Sequence, residues 1–189
     1  ILSSATPSVV ANVFEGIFKP SRTVKAKVSS SPNGRQIRHP TRLLLKPFDQ
    51  ILGGKECVQE VTSSIKELYE RHKSDTPSNK PFIRVLTIVN SVAFCAQLWE
   101  SLKNEFGEDK VSMISGLVPK KARERKEITV ATSTVEVGVD FDVASLLFEA
   151  RDPITFIQRL CRGGRHRPCD VVAYVPPELL EKPDEIPDE

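Results

Sequence analysis

Apolar residues along this chain keep two different rhythms. From Cys57 to His72 the positions Val58, Val61, Ile65, Leu68 and Tyr69 recur at the spacing of one helix face, and Val92, Cys95, Trp99, Leu102 and Phe106 do so again further on. Between and after them stand short apolar runs without polar alternation: Leu43 to Leu45, Phe82 to Val89, Val111 to Ile114, Ile128 to Thr132, Leu146 to Ala150 and Val171 to Val175. Strands buried on both faces read this way, because helices cover a parallel sheet above and below. Two shorter helices are predicted, a charged one over Pro119 to Lys126 and another over Thr155 to Cys161. The alternation of strand and helix predicts an α/β fold, with a doubly wound, mainly parallel sheet flanked by helices. Ser29 to Pro40 and Asp75 to Lys80 carry the Ser, Pro, Asn and Gly of exposed connections.

Composition narrows the picture a little. A chain of 189 residues with 39% hydrophobic content fills the core of one ordinary domain and leaves extra segments. Lys+Arg 27 against Asp+Glu 25 nearly cancel, so net charge alone names no polyanionic partner. Distribution says more. No acidic residue stands between Gly16 and Phe48, where Lys19, Arg22, Lys25, Lys27, Arg35, Arg38, Arg42 and Lys46 all fall. That stretch is either a solvated loop or a phosphate-facing surface. Lys120, Lys121, Arg123, Arg125 and Lys126 form a second basic run that reads as a solvated helical face, and Glu178 to Glu189 is an acidic tail. Cys57, Cys95, Cys161 and Cys169 show neither a Cys-x-x-Cys pair nor a histidine at metal spacing, which suggests no zinc site and no disulfide framework. Without a signal peptide or an apolar run of membrane length, the expectation is a soluble, reduced, cytoplasmic protein with no membrane partner.

Candidate chemistry concentrates in two segments near the C-terminal end. One runs Ala131-Thr132-Ser133-Thr134-Val135-Glu136-Val137-Gly138-Val139-Asp140-Phe141, the other Gln158-Arg159-Leu160-Cys161-Arg162-Gly163-Gly164-Arg165-His166. Three arginines at such spacing, loosened by two glycines, crowd like charges unless an anion comes between them. A polyphosphate suits them, since guanidinium forks bind phosphate oxygens with paired hydrogen bonds and stay ionised at any relevant pH. The second segment resembles motif VI of superfamily 2 helicases, Gln-Arg-x-Gly-Arg-x-Gly-Arg, and the first resembles their motif V. Ser4-Ala5-Thr6 is similar to motif III of the same family, one linker ahead of the other two.

The resemblance implies a RecA-like second motor domain over 37–177, preceded by the stub of a first motor domain and linker over 1–36 and followed by the tail at 178–189. Arg162 and Arg165 would then be the catalytic arginine fingers, aimed at the γ-phosphoryl group when two domains close. Gln158, Gly138 and Asp140 would line the nucleotide. Ser4, Ala5, Thr6 and Arg159 would couple the domains. Cys161 replaces the family's usual glycine, which bears on the tightness of the turn. Thr132, Ser133 and Thr134 end one predicted strand, and Asn90 and Ser91 end another in the place of motif IV. These are candidate contacts to a nucleic-acid backbone, and equally good helix caps and turn formers. Arg162 and Arg165 are expected to face the sheet's ligand edge.

The chain carries no Gly-x-x-x-x-Gly-Lys-Ser/Thr loop, and Gly53-Gly54-Lys55 lacks both the earlier glycine and the following hydroxyl. Only one wall of an ATP cleft is therefore encoded. Weak ATP binding and no hydrolysis by this chain alone are expected, with Mg2+ held by the first motor domain of the same protein and no metal site here. The letters of motifs V and VI, with Phe148-Glu149-Ala150-Arg151-Asp152, are similar to the helicase subunit of type I CRISPR interference, subtype I-D in particular. That implies single-stranded DNA, a CRISPR surveillance complex and a nuclease subunit as partners. A DNA-repair helicase, an RNA-remodelling helicase and a non-catalytic docking module stay open beside it.

Overall fold

The computed structural model describes residues 39–48, 53, 55–76, 82–116, 124–133 and 140–177, all within one compact unit. In chain order the elements are β1 (Thr41–Pro47), α1 (Lys55–Arg71), β2 (Phe82–Ile88), α2 (Val92–Phe106), β3 (Val111–Ile114), β4 (Ile128–Ala131), β5 (Asp142–Glu149), α3 (Pro153–Leu160) and β6 (Cys169–Val175). The strands form one six-stranded sheet in the order β1-β6-β5-β2-β4-β3. Every pairing is parallel. The predicted α/β sheet is thus realised with no antiparallel member among the described strands.

Helices cover both faces. Val61, Ile65, Leu68 and Tyr69 of α1 and Phe94, Cys95, Leu98 and Leu102 of α2 pack on Val85, Val130, Leu147 and Val172. On the other face Phe156 and Leu160 of α3 pack on a layer that includes Leu86, Leu146, Phe148 and Val171. Residues 146 to 148 and 171 to 172 alternate between these layers, as successive side chains of a strand must. All eight residues of β5 are buried, which explains the apolar run read there and its polar start at Asp142.

Three expectations are corrected. The Leu43 to Leu45 strand exists, but its leucines are 41%, 53% and 40% exposed, because β1 is an edge strand with β6 as its one hydrogen-bonded neighbour among the described strands. The buried stripe of α2 includes Phe94 and Leu98, while Val92 is exposed and Trp99 only half-buried; Ser91 caps the helix. Glu124 to Lys126 are irregular rather than helical, since the Lys126 amide donates to Ser112 Oγ at 3.2 Å on β3; the rest of that predicted helix, 119–123, lies outside the described residues.

Register levels the working ends of the central strands. Ile88 stands opposite Ala131 on one side and Phe148 on the other, so β2, β4 and β5 end together. The connection after β2 carries the chain toward β3, and the connection after β5 carries it toward β6. The gap between β2 and β5 at their carboxyl ends is therefore the switch point at which open α/β sheets place their ligands.

Candidate functional site

The predicted site residues divide between two opposite edges of the sheet. Asn90, Ser91, Thr132 and Ser133 lie at the carboxyl ends of β2 and β4, as their strand positions require. Their polar atoms are largely engaged. Ser91 Oγ accepts the Phe94 amide at 3.2 Å and caps α2. Asn90 Oδ1 accepts Arg159 Nη2 at 2.7 Å, and the Asn90 amide donates to Glu149 Oε2 at 3.2 Å. Thr132 is buried, its amide donating to the Ile114 carbonyl at 3.0 Å, while Ser133 is exposed. Thr134 and Gly138 lie outside the described residues, as do Ser4, Ala5 and Thr6.

Arg159 belongs to this edge. It is 2% exposed and donates Nη1 to the Glu149 carbonyl as well as Nη2 to Asn90. With the Asn90 amide bound to the Glu149 carboxylate, the three residues close a ring that ties β2, β5 and α3 together. The helix starts on the same edge. Asp152 caps it, accepting the Thr155 amide at 2.8 Å and Thr155 Oγ1 at 2.6 Å, and Pro153 occupies the first turn, where a missing N–H costs nothing. Those bonds from Thr155 hold the Asp152 carboxyl below its ordinary value.

From there α3 runs back along the sheet, so the turn that follows it sits at the opposite edge, where the strands begin. The Gly164 carbonyl accepts the His39 amide at 2.7 Å, and the Pro40 carbonyl accepts the Cys169 amide at 3.2 Å. The expectation that Arg162 and Arg165 face the carboxyl-end ligand edge is corrected for Arg165, whose guanidinium stands beside Asp140, just ahead of β5.

The turn has a clear local logic. Cys161 adopts φ −66° and ψ −2°, ordinary right-handed values, so the glycine it replaces is not needed there. Gly163 is needed: a Cβ would stand 2.9 Å from Cys169 Sγ and 3.4 Å from Val171 Cγ2, because the backbone lies directly on β6. Gly164 has φ +69°, a left-handed value that glycine adopts without steric cost. Arg165 Nε donates to the Cys161 carbonyl at 2.8 Å, closing the helix end, and Nη1 stands 3.8 Å from Asp140 Oδ1. His166 Nε2 lies 2.8 Å from the same oxygen. Asp140 of the first motif and Arg165 of the second are thus neighbours, although 25 positions of sequence (165 − 140) separate them. Arg162 is half-buried, Arg165 and Gln158 exposed.

Several charged residues not singled out by sequence stand at this edge. Arg167 grips fully buried Asp142 with Nε at 2.7 Å and Nη2 at 2.9 Å, and Arg84 donates Nε to Glu127 at 2.7 Å. At the other edge Glu149 and Arg151 were also missed as site residues. The isolated polar residue within the apolar run Leu146 to Ala150 was the available signal for Glu149. No disulfide joins the four cysteines, and burial pushes the Cys95 thiol up to about 12, which removes it as a nucleophile. Among the described residues no group of three or more His, Cys, Asp or Glu is placed to hold a metal ion, and no helix is long and apolar enough to cross a membrane.

No protein-family model and no curated protein sequence matches the chain. Solved structures do. T. fusca Cas3-ADP superposes with a TM-score of 0.53 at 16% identity, covering 84% of this chain and 20% of that one. T. fusca Cas3-AMPPNP gives 0.51 at 17%, with the same coverage. Mss116p DEAD-box helicase domain 2 bound to an RNA duplex gives 0.49 at 19%, covering 74% of this chain and 56% of that one. The chain spans about a fifth of the length of the Cas3 structures and just over half of the Mss116p domain. What the chain shares with these structures is the fold, a RecA-like α/β domain like that found within T. fusca Cas3.

Proposed function

We propose that this chain is the second motor domain of an ATP-dependent, CRISPR-associated DNA helicase or translocase. The observation that carries the proposal is the turn after α3, which brings exposed Arg165 beside Asp140, with half-buried Arg162 three residues before it. A guanidinium 3.8 Å from its carboxylate is looser than a charge-assisted bond of about 2.7–2.9 Å. A triphosphate offered by a neighbouring domain competes well for it. Arg162 and Arg165 then act on the transferring phosphoryl group, which bears the developing charge. Gln158, four residues before Arg162, faces the same nucleotide, and Gly138, outside the described residues, would join it by the motif resemblance alone. The Mg2+ ion belongs to the acidic box of the first motor domain, which Ser4, Ala5 and Thr6 would join to this one.

The carboxyl-end edge takes the other ligand, a single strand, through Asn90, Ser91 and Ser133, with buried Thr132 beside them; Thr134, outside the described residues, would join them by its place in the sequence. Nucleotide and strand thus occupy opposite edges, and Arg159 braces the helix between them. The likeness to Cas3, one of whose structures is the ADP form, supports both the nucleotide and the CRISPR context, in which a surveillance complex and a nuclease subunit are partners.

The test is ATP turnover by the full-length parent with and without single-stranded DNA. Stimulation by DNA is expected. Arg165→Ala should cut stimulated turnover by about a thousandfold while leaving strand binding and the unfolding midpoint in place; unchanged turnover overturns the arginine assignment. Stimulation by RNA and not DNA favours an RNA-remodelling helicase, and a parent without turnover on either favours a docking module.

A further inference from the structure

Most polar groups that leave the sheet at the carboxyl ends of β2, β4 and β5 are spent within the fold, but Arg151 is not. It is the only cation among the described residues that immediately follow these three strands, Val89 to Ser91, Thr132 to Ser133 and Ala150 to Asp152. Its side chain is 44% exposed. Among the described residues its one hydrogen bond runs from Nε to Glu149 Oε1 at 3.3 Å, and neither Nη has a partner. Beneath it the Glu149 carboxylate is 4% exposed, with its second oxygen held by the Asn90 amide at 3.2 Å.

Burying a carboxylate has a large desolvation cost, and a surface arginine needs no such partner for solubility. What Glu149 does provide is aim. It pins the inner edge of the guanidinium over the gap between β2 and β5 and turns the outer nitrogens to solvent, where paired N–H groups match a phosphate. We infer that Arg151 is a phosphate-binding residue of the single-strand track and that Glu149 is its positioning residue. This rests on the reading of that edge as a nucleic-acid surface. DNA and RNA present the same phosphate, so the test has one arm for each.

The experiment measures binding of the 189-residue chain to labelled oligodeoxythymidine and to oligouridine across a salt series. Arg151→Gln should weaken binding about tenfold at low salt and lower the slope of log affinity against log salt by about 0.7, one phosphate contact on a single strand. Arg151→Lys should restore the slope, because charge and not shape sets it. Glu149→Gln keeps an acceptor for the Asn90 amide but loses the charge that holds Arg151; weaker binding with an undiminished slope is expected. An unchanged slope in Arg151→Gln, with wild-type binding intact, overturns this inference alone. Failure of the wild-type chain to bind either oligomer overturns the nucleic-acid reading and this inference with it. A slope loss on one polymer only identifies that polymer as the ligand.

Discussion

Helix α3 and the turn after it hold their arginines on opposite plans. In the last turn of the helix Arg159 reaches back to Glu149 and Asn90 in a ring of hydrogen bonds, with Arg159 and Glu149 almost wholly buried, and Asp152 caps the first turn with two further bonds. In the turn that follows, exposed Arg165 leans on the Cys161 carbonyl and on a carboxylate 3.8 Å away. Buried bonds to charged groups resist solvent and salt; exposed ones yield to any better anion. The buried ring is thus a fixed anchor, whereas Arg165 holds its carboxylate loosely.

The sharpest way to break this contrast is to remove the anchor. Arg159→Met keeps the length of the side chain but deletes two hydrogen bonds from a charged donor, each worth roughly 1.5–3 kcal/mol. A loss of about 3 kcal/mol in urea-unfolding stability is expected, against no measurable loss for Arg165→Ala. Equal effects from the two variants would mean that Arg159 and Arg165 are not held in different ways.

Much of the anchor was invisible in sequence. The alternation of apolar runs and helical stripes located all six strands and the three described helices, because burial on both faces of a parallel sheet leaves so strong a pattern. The edge position of β1 was not legible, since Leu43-Leu44-Leu45 reads the same whether one neighbour pairs with it or two. Arg162 and Arg165 stood out by spacing alone. Their sheet edge did not, because it depends on the direction in which an eight-residue helix crosses the sheet. Glu149 and Asn90 meet only through the register of β5 against β2, a long-range fact that no local window contains. Arg159, one letter of a recognised motif, turns its guanidinium inward for the same reason.

The other end of the helix can be sharpened at Gly163. Its missing Cβ lets the backbone lie within contact distance of Cys169 and Val171 on β6. Gly163→Ala must push the turn off the sheet, a misfit of the kind that costs about 1–3 kcal/mol. The loss should be visible in urea unfolding and, if Arg162 and Arg165 work as a pair, in DNA-stimulated turnover as well. Full stability in this variant would show that the turn is not seated on β6, and the contrast between the two ends would then need no glycine.

The smallest effect expected is at the cap. Hydrogen bonds from Thr155, through Oγ1 and through its amide, hold the Asp152 carboxyl below its ordinary value of 3.8, against a smaller push upward from burial. The folded state therefore binds this proton less readily than the unfolded chain. The carboxylate's contribution is present in full above pH 4 or so and is lost as pH falls through the lower folded value. Asp152→Ala should destabilise the chain by about 1 kcal/mol near neutral pH through loss of the cap. Asp152→Asn keeps a capping oxygen and removes the charge, so it should lose far less near neutrality and flatten the fall in stability below pH 4. If Asp152→Asn and the wild type lose stability in parallel as the solution is acidified, the acid sensitivity lies elsewhere. Asp170 is then the group to replace: burial pushes its carboxyl up, but the Arg71 hydrogen bond and neighbouring His72 outweigh that and leave it lowered.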